Sequence, residues 1–351
     1  MPKILITGGA GFIGSHTSLV LIEKGFDLII LDSFINSSSQ SISKVENLSN
    51  SWKKINKPCI KVIKGDIRNI ALLEKIFDTS IKEKNPIEGV IHFSGLKAVS
   101  ESVRKPLEYW DANVNGSITL FKVMKKYNCS TLVFSSSASI YASKNFEKMT
   151  EDCIINPTNP YGHTKATIEN ILKNLYNSNP NNWKIISLRY FNPIGAHPSG
   201  IIGESPQGVP NNIFPYITQV AIGERKLLRI FGKDWPTKDG TGIRDYIHVM
   251  DLAEAHLFAL NHLLKGKAQF KSINIGTGSG VSVLELVKTF QKINNLTINY
   301  EFTERRVGDI PFLVADNSFA KNILNWVPKR NLNEMCLDGW KWQKLNPRGY
   351  T

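Results

Sequence analysis

The sequence predicts an α/β fold: a Rossmann-type doubly wound parallel sheet, followed by a smaller mixed α/β domain that binds substrate. In the first half, short apolar strands alternate with helical segments, a glycine-rich turn follows the first strand, and the composition changes near residue 192. Strands that alternate with helices imply right-handed crossovers and parallel pairing. We therefore expect residues 1–191 to bind a dinucleotide, with some later segments returning to that domain, and residues 192–351 to bind mainly substrate.

The elements are predicted from apolar runs and their flanking turns. Residues 37–57, rich in serine, asparagine and lysine, interrupt the alternation and predict a surface helix or loop with no chemical role. Beyond residue 192, segments rich in proline and glycine separate short strands and helices. The predicted strands are 3–7, 27–31, 60–64, 90–93 and 131–135, and the predicted helices include 11–24, 251–264 and 282–294.

Composition and charge exclude several classes of protein. The 43 basic and 30 acidic residues give a formal net charge of +13, but the basic residues are scattered, which indicates a solvated basic surface and no nucleic-acid partner. The four cysteines are widely separated and, like the histidines, lack metal-binding spacing, so we expect a reduced compartment and no metal. With no secretory signal and no apolar run long enough to cross a bilayer, the sequence predicts a cytoplasmic protein without a membrane partner.

The glycine-rich turn has the spacing of a dinucleotide-binding loop. Gly9, Gly11 and Gly14 lie between the first strand and the first helix, next to Gly8. Glycines there permit a tight turn and a close approach of backbone to pyrophosphate, which the helix N-terminus then faces. Asp32 ends the second strand, where a carboxylate accepts hydrogen bonds from ribose hydroxyls and repels a 2′-phosphate. The cofactor is therefore predicted to be NAD, although Asp32 alone could be a turn or N-cap residue.

Tyr161 and Lys165 are the predicted catalytic pair. Positions i and i+4 share a helix face, so the phenol and the ammonium can converge on one point. A cation beside a phenol favours the phenolate and lowers its pKa toward neutrality. Ser137, after the strand at 131–135, can bridge a substrate hydroxyl and the tyrosine oxygen, whereas Ser135 and Ser136 are interpreted as loop-capping hydroxyls. Together with the cofactor loop these residues favour a hydride-transfer enzyme, although the spacing of the pair alone also suits a solvated helix face.

Four longer segments resemble the UDP-galactose 4-epimerases, also called UDP-glucose 4-epimerases, of the extended short-chain dehydrogenase/reductase superfamily. The resemblance runs from residue 3 to about residue 343. Its most specific segments are 92–99 (HFSGLKAV), 189–200 (RYFNPIGAHPSG), 206–212 (PQGVPNN) and 239–251 (DGTGIRDYIHVMD). It implies that Tyr161 removes the proton from the sugar 4-hydroxyl while hydride passes from C4 to NAD. The 4-keto sugar then rotates and hydride returns to its opposite face, so that UDP-galactose and UDP-glucose interconvert in a homodimeric enzyme of galactose metabolism.

The resemblance also implies which residues bind cofactor and substrate. The cofactor-binding residues it implies are Gly8, Gly11, Phe12, Ile13, Gly14, Asp32, Ser33, Phe34, Ile35, Asn36, Ser37, Asp66, Ile67, Phe93, Ser94, Gly95, Leu96, Lys97, Tyr161, Lys165 and Phe191. The substrate-binding residues it implies are Lys97, Ser137, Tyr161, Asn192, Asn212, Ile213, Arg229, Ile230, Phe231, Arg244, Tyr246, Arg306, Asp309 and Leu313. Arg244 and Arg306 would hold the diphosphate, a bidentate task suited to guanidinium groups.

The sequence departs from the family pattern at three positions. Ala112 replaces an asparagine that contacts the cofactor in some relatives, so that hydrogen bond is expected to be absent. Ala142 replaces a glycine, for which only a local backbone adjustment is expected. Leu313 stands where tyrosine marks enzymes restricted to glucose and galactose, and smaller residues mark enzymes that also accept 2-acetamido sugars. From side-chain volume we expect a glucose/galactose enzyme with weak activity on the 2-acetamido sugars.

Three other interpretations stay open at the level of sequence. The first is a UDP-GlcNAc/UDP-GalNAc 4-epimerase, and the second is another nucleotide-sugar epimerase, decarboxylase or dehydratase on the same fold. A dehydratase commonly has an Asp-Glu pair where this chain has Ser136 and Ser137. The third is a catalytically inactive dinucleotide-binding sensor, a class that tends to lose the tyrosine or the lysine.

Overall fold

The computed structural model describes residues 1–50, 58–142, 146–208, 210, 212–306 and 309–350. Strands and helices alternate through its first part, which also contains a π-helical segment at Trp110–Asn115 and a short 3-10 helix at Ala138–Ile140. The strands and α-helices of this part are β1 Lys3–Thr7, α1 Phe12–Glu23, β2 Asp27–Asp32, α2 Ser39–Asn50, β3 Ile60–Lys64, α3 Ile70–Lys82, β4 Ile87–His92, α4 Val99–Arg104, α5 Pro106–Tyr109, α6 Gly116–Lys126, β5 Thr131–Ser137, α7 Pro160–Ser178 and β6 Lys184–Tyr190.

Shorter strands and longer connections characterise the rest of the chain. Its elements are β7 Asn192–Ile194, α8 Ile213–Ala221, β8 Leu228–Phe231, β9 Ile243–Arg244, β10 Tyr246–His248, α9 Val249–Lys265, β11 Gln269–Ile275, β12 Val281–Ser282, α10 Val283–Asn294, β13 Tyr300–Thr303, β14 Phe312–Leu313, α11 Ser318–Leu324 and α12 Leu332–Leu345. Both amphipathic helices predicted in this part are present, as α9 and α10.

The main sheet has seven strands in the order β11-β6-β5-β4-β1-β2-β3. All of its described pairings are parallel. The strand order reverses between β1 and β4, so the carboxyl ends of these strands open a crevice in which ligands of such sheets bind. The predicted Rossmann-type doubly wound fold is confirmed.

Helices cover both faces of this sheet, which explains the nearly continuous apolar runs of its inner strands. One face packs on α1, α9 and α11 around Ile4, Leu21 and Leu260, and the other packs on α3, α6 and α7 around Leu5 and other apolar side chains. Strand β11 and helix α9 come from the second half of the sequence yet complete the sheet and its cover. These later segments therefore form part of the same sheet and of its helical cover.

Helix α2 lies within residues 37–57, the stretch that was expected to be a surface helix or loop. Ile42 and Val45 are buried, and the Ser41 hydroxyl donates a hydrogen bond of 2.8 Å to the backbone oxygen of Ala10 in the glycine-rich turn. The helix thus supports the turn from behind. The remainder of that stretch, residues 51–57, lies outside the described residues.

A second core lies at the carboxyl edge of the sheet. It joins α8, α10 and α12, and in it Phe214, Phe290 and Trp340 pack with their rings edge to face. Three small sheets flank this core, with strand orders β10-β7, β12-β9-β14 and β13-β8. This region carries loops over the crevice of the main sheet, where a substrate domain is expected.

Helix α7 begins beside the crevice, and its first turn is well capped. Pro160 occupies the first helical position, and the side chain of Asn159 accepts a hydrogen bond of 2.9 Å from the backbone N–H of Gly162. Proline at that position and asparagine before it are both favoured at helix starts. Tyr161 is therefore held in the first turn, at the carboxyl edge of the sheet.

Candidate active site

The glycine-rich turn forms a cradle for a diphosphate. Gly8 has a φ of 71°, and a Cβ atom there would lie 2.6 Å from the backbone nitrogen of Ser94. A Cβ atom at Gly14 would lie 2.6 Å from the backbone oxygen of Gly8, so helix α1 approaches the turn too closely for a side chain. At Gly11, by contrast, a Cβ atom would meet only the Gly8 oxygen, at 3.5 Å. The space above Gly11 faces the N-terminus of α1, where an anion is stabilised.

Asp32 is buried at the end of β2, where it organises the loop around it. Its carboxylate accepts hydrogen bonds from the backbone N–H of Ala10 and Phe34, both at 2.9 Å, and from the Ser37 hydroxyl at 2.8 Å. A carboxylate has about four acceptor sites, so capacity for a ribose hydroxyl remains. The carboxylate also excludes a phosphate from this position, as expected for NAD rather than NADP.

The opposite wall is formed by residues 93–97, after β4. Asn113 fixes this loop: its side-chain oxygen accepts from the Leu96 N–H at 2.7 Å, and its side-chain nitrogen donates to the Leu96 oxygen at 3.1 Å and to the Thr164 hydroxyl at 3.0 Å. A Cβ atom at Gly95 would lie 2.9 Å from the same amide oxygen. Asn113 lies in the π-helical segment, a kind of helix that often occurs at functional sites, and the sequence analysis did not assign it a role.

Asp66 and Ile67 follow β3 at the far end of the crevice. The Arg68 side chain donates hydrogen bonds to Asp66, which hold the pKa of that carboxyl below its usual range, and it also pairs with Asp111. Ala112, next to Asp111, lines the crevice without a polar side-chain atom to offer a cofactor. The loss of a hydrogen bond to the cofactor at this position stays a prediction.

These walls enclose a cleft of about 720 Å³. Most of the predicted cofactor residues line it, including the catalytic pair, and so do three predicted substrate residues, Lys97, Tyr161 and Asn212. The predicted residues that line the cleft are Gly8, Gly11, Phe12, Ile13, Gly14, Asp32, Ser33, Ile35, Asn36, Ser37, Asp66, Ile67, Phe93, Ser94, Gly95, Leu96, Lys97, Tyr161, Lys165 and Asn212. The size, the glycine cradle and the position of Asp32 all fit a dinucleotide.

Phe34 and Phe191 do not line the cleft. Phe34 has a φ of 58°, and its side chain packs against the core under the sheet. Phe191 is buried in a small apolar cluster with Tyr141 and Leu313. For these two residues the structure places an aromatic side chain behind the wall, where it supports the cleft by packing.

Tyr161 contacts both Ser137 and Lys165, and Tyr161 and Lys165 line the cleft. Burial raises the pKa of the Tyr161 phenol, whereas a hydrogen bond with the Ser137 hydroxyl lowers it. The Lys165 ammonium lies 5.8 Å from the centre of the Tyr161 ring and donates a hydrogen bond of 2.7 Å to the backbone oxygen of Ser135. A phenol in this position becomes a base only when hydroxyl donors and the nearby cation stabilise its phenolate.

Burial lowers the pKa of Lys165 to about 8, and the carboxylate of Glu169 raises it. The ammonium also lies 4.9 Å from the centre of the Phe134 ring, an arrangement that stabilises a cation. Lys165 therefore remains mainly charged at neutral pH, as its role beside a phenolate requires.

Residues 203–207 cross the cleft, and we call them the strap. The Glu204 carboxylate accepts hydrogen bonds from the Lys97 ammonium at 3.2 Å and from the Asn212 side chain at 3.1 Å. At the other end of the strap, the side chain of Gln207 donates to the backbone oxygen of Ser37 at 3.1 Å. The strap thus connects both walls of the cleft.

The C-terminal segment holds the strap in place. Trp342 donates a hydrogen bond of 3.0 Å from its ring to the backbone oxygen of Glu204, and the Tyr350 hydroxyl pairs with the backbone of Gly203. Tyr350 also lines the cleft and packs on Trp342, with 4.7 Å between ring centres. Sequence reasoning assigned no role to Glu204, Gln207 or Tyr350, although residues 206 and 207 stand in a segment that it quoted.

Arg244, Arg306, Asp309 and Phe231 form a cluster in the second region. Nitrogens of Arg244 and Arg306 lie 3.8 and 3.6 Å from the Asp309 carboxylate, and the Arg306 guanidinium stacks 4.2 Å from the centre of the Phe231 ring. Two guanidinium groups and an aromatic face in one cluster suit a diphosphate attached to a flat base. Leu313 pairs with Arg244 across β14 and β9, which places it beside this cluster.

Other predicted substrate residues are near this cluster in the fold, but their side chains pack in the second core or form other contacts. Ile230 and Tyr246 are buried in the second core, and Ile213 packs against that core from the start of α8. Arg229 shares a strand face with Phe231 but forms an exposed ion pair with Glu301 at 3.1 Å. Burial raises the pKa of Tyr246 to about 12, so its phenol is neutral. The remaining predicted residue, Asn192, opposes Tyr246 in the pairing of β7 with β10.

Comparisons with known proteins agree with this geometry. The family model described as GDP-mannose 4,6 dehydratase matches residues 5–338. UDP-glucose 4-epimerase of Pasteurella multocida is 49% identical over 348 residues, which cover 99% of each chain. The Bacillus subtilis protein of the same name is 46% identical over 347 residues, covering 99% of this chain and 98% of that protein. The chain belongs to the UDP-glucose 4-epimerase family.

A solved epimerase shares the architecture as well as the sequence. The crystal structure of UDP-glucose 4-epimerase from Bifidobacterium longum in complex with NAD⁺ and UDP has a TM-score of 0.91 and 42% identity to this chain, with 99% of both chains covered. Similarity over both the cofactor cleft and the arginine cluster confirms the resemblance seen in the sequence. Besides the predicted residues that line the cleft, the strap and Tyr350 line it as well, and Asn113 supports the loop that forms one of its walls.

Proposed function

We propose that the protein interconverts UDP-galactose and UDP-glucose with NAD bound in the cleft. The observation that carries the proposal is that Tyr161 and Lys165 line a dinucleotide-sized cleft, with the Ser137 hydroxyl hydrogen-bonded to the Tyr161 phenol. When bound, NAD supplies the acceptor and donor of the hydride at sugar C4. The glycine cradle and Asp32 are the residues that would hold it.

Tyr161 takes the proton of the sugar 4-hydroxyl and returns it at the end of the cycle. The Ser137 hydroxyl hydrogen-bonds the tyrosine oxygen and works to lower its pKa. Lys165 supplies a positive charge beside the developing phenolate, and its anchorage on the Ser135 oxygen fixes the ammonium at the end of β5. Because the proton and the hydride leave the sugar together, the substrate is oxidised to a 4-keto sugar, which accepts hydride on either face after rotation.

The nucleotide anchors the sugar during that rotation. Arg244 and Arg306 would bind the diphosphate, and Phe231 provides an aromatic face for the base. In this division of labour residues 1–191 bind NAD, and residues 192–351 mainly bind the nucleotide sugar. Asn192 on β7 and Asn212, which lines the cleft, would help to hold the nucleotide and its phosphates.

We further propose that the protein forms a homodimer. Apolar side chains are exposed on α4 and α5 and in the π-helical segment, including Val103, which is 61% exposed, and Leu107, which is 78% exposed. Val99 and Trp110 extend this apolar strip. A second copy that covers the strip would remove it from water. Sedimentation velocity on the wild type and on Leu107→Glu tests this, since the variant is expected to sediment as a monomer.

A cytoplasmic location completes the proposal. All four cysteines, each in the described part of the chain, carry free thiols, as expected in a reducing compartment. Among the described residues, no helix is both long enough and apolar enough to span a membrane. Fractionation of the native host, followed by detection with an antibody, would place the protein directly.

Proton NMR of the purified protein with UDP-galactose, without added NAD, tests the function. The anomeric signal of UDP-glucose is expected to appear, because the strapped cleft retains NAD through purification. If the signal appears only after NAD is supplied, the result supports the proposed reaction and contradicts the retention of NAD through purification. If no product forms with NAD supplied, the proposed reaction is wrong.

A further inference from the structure

A buried carboxylate lies directly behind the catalytic pair. Glu169 is four residues beyond Lys165 on α7, so Tyr161, Lys165 and Glu169 follow one face of the helix. Its side chain is only 5% exposed. A buried carboxylate is costly unless it is paired and hydrogen-bonded. Nothing in the reaction proposed above uses this residue.

Three strands of the main sheet hold the Glu169 carboxylate in place. Arg189 on β6 binds it with two nitrogens, at 2.7 Å to Oε2 and 3.0 Å to Oε1. Ser136 on β5 donates a hydroxyl hydrogen bond of 2.5 Å, and Ser272 on β11 donates another of 3.1 Å. The carboxylate is therefore fixed relative to β5, which also carries Ser137 and the backbone oxygen that anchors Lys165.

The Arg189 guanidinium is fixed in the same way from its other side. It donates to the Tyr141 hydroxyl at 2.8 Å and to the backbone oxygen of Glu151 at 2.9 Å. Burial raises the pKa of both Tyr141 and the Glu151 carboxyl, so the phenol is neutral at working pH and the carboxyl holds its proton more tightly than usual. The Glu169–Arg189 pair is thus a rigid pair of opposite charges under the catalytic residues.

Neutral groups face the catalytic pair from the neighbouring elements. His92 on β4 faces Lys165, and burial lowers its pKa to about 3. Tyr109 on α5 and Tyr190 on β6 face Tyr161, and burial raises the pKa of both phenols. Behind Tyr109 lies Glu101 of α4, which hydrogen-bonds that phenol and the exposed Lys105. Among these groups, the carboxylate that acts on Lys165 is that of Glu169.

We propose that Glu169 is a positioning residue for the reaction: held by Arg189, its carboxylate sets the charge of Lys165 and thereby the working pH of Tyr161. This inference rests on the function proposed above, since it concerns the same tyrosine and lysine. Burial disfavours an ammonium at Lys165, and a fixed negative charge one turn along the helix opposes that effect. The positive charge of Arg189 partly offsets the negative charge of Glu169, so the two residues together determine the electrostatic field at Lys165 and Tyr161.

Glu169→Gln tests the inference through the pH profile of kcat. The change leaves the Arg189 cation without its counter-charge, which disfavours the ammonium of Lys165 and favours the phenolate of Tyr161. The acid limb of the profile reports the phenolate of Tyr161 and the alkaline limb reports the ammonium of Lys165. Both limbs are therefore expected to move to lower pH, by roughly one unit. Arg189→Gln leaves the carboxylate unpaired, and both limbs are expected to move to higher pH.

Two variants separate the charge from the structural role of the network. Glu169→Asp keeps the charge and is expected to keep both limbs in place even if kcat falls. Tyr141→Phe removes a neutral member of the network, a hydroxyl that donates to Asn274 at 2.7 Å and accepts from Arg189, and it is also expected to leave the limbs unmoved. A merely structural role would lower kcat at every pH without moving either limb.

The inference is overturned if Glu169→Gln is active and both limbs of its kcat profile lie at the wild-type pH. It is also overturned if Tyr141→Phe moves the limbs as far as Glu169→Gln does. Should Glu169→Gln fail to fold, Arg189→Gln decides: an upward shift supports the inference and an unmoved profile overturns it. Failure of the proposed function is a separate result, because the wild type would then convert no UDP-galactose at any pH.

Discussion

The strap offers a specific prediction about how the protein retains its cofactor. Glu204 accepts hydrogen bonds of 3.2 Å from Lys97 and 3.1 Å from Asn212, and so connects the wall after β4 to the loop before α8. Its own side chain is 9% exposed, whereas that of Lys97 is 57% exposed. We expect NAD to leave the cleft only when the strap opens, so that its release rate follows the fraction of open strap. Glu204→Ala removes both bonds and raises that fraction.

The size of the effect follows from the two bonds. An intramolecular hydrogen bond contributes roughly 0.5–1.5 kcal/mol, and the exposure of Lys97 places its bond at the low end of that range. The two bonds together therefore stabilise the closed strap by about 1–2 kcal/mol. Since 1.4 kcal/mol is a factor of ten, NAD should leave the variant about 5 to 30 times faster. Gln207→Ala removes the single bond to Ser37 and should have a smaller effect.

The release rate can be measured by dilution of the purified holoenzyme and enzymatic trapping of the NAD that escapes. Glu224→Ala, which removes an exposed glutamate elsewhere on the surface, is the matched control and should release NAD at the wild-type rate. Glu204→Gln keeps an acceptor oxygen and should fall between the two. If Glu204→Ala releases NAD no faster than Glu224→Ala, the strap does not close the cleft and the reasoning is refuted.

Three further predictions concern the catalytic pair and the sugar pocket. Tyr161→Phe should retain NAD and lower kcat about 10²- to 10⁴-fold, whereas Tyr176→Phe on the same helix should be fully active; near-normal turnover of Tyr161→Phe would exclude it as the base. Burial lowers the pKa of Lys165 to about 8, so the active ammonium is lost as pH rises, and the alkaline limb of the kcat profile should fall between pH 7 and pH 9. A flat profile over that range would contradict this. Turnover of UDP-GalNAc should be well below that of UDP-galactose. Leu313→Ser should raise the ratio of UDP-GalNAc turnover to UDP-galactose turnover, and Leu313→Tyr should lower it. Equal turnover of the two substrates by the wild type would overturn the expected preference for UDP-galactose.

The parts of the fold that sequence predicts are those fixed by local pattern. Strand β1 is buried along its whole length and has the apolar run Ile4-Leu5-Ile6 at its centre, and the glycine turn after it has the spacing of a dinucleotide-binding loop. The catalytic pair is likewise local, because Tyr161 and Lys165 are separated by one helical turn. Patterns of this kind can be read without knowledge of what packs nearby.

The parts that sequence missed depend on contacts between distant segments. Glu204 is 107 residues from Lys97, and Asn113, in the π-helical segment, meets the loop that contains Leu96 across 17 residues. The placement of Phe34 behind the cleft wall follows from a φ of 58°, which propensity does not predict for phenylalanine. Such features appear only when the tertiary structure brings a single polar group or an unusual backbone angle into place.

The most direct test of the central claim uses UDP-galactose that carries deuterium at C4. If the reaction proceeds by oxidation and hydride return within one active site, UDP-glucose should form with the deuterium still at C4. A mechanism that removes the C4 hydrogen as a proton would exchange it with solvent. Retention of the label, read by mass spectrometry and proton NMR of the product, is the predicted result; UDP-glucose that has lost the label to water would contradict the account.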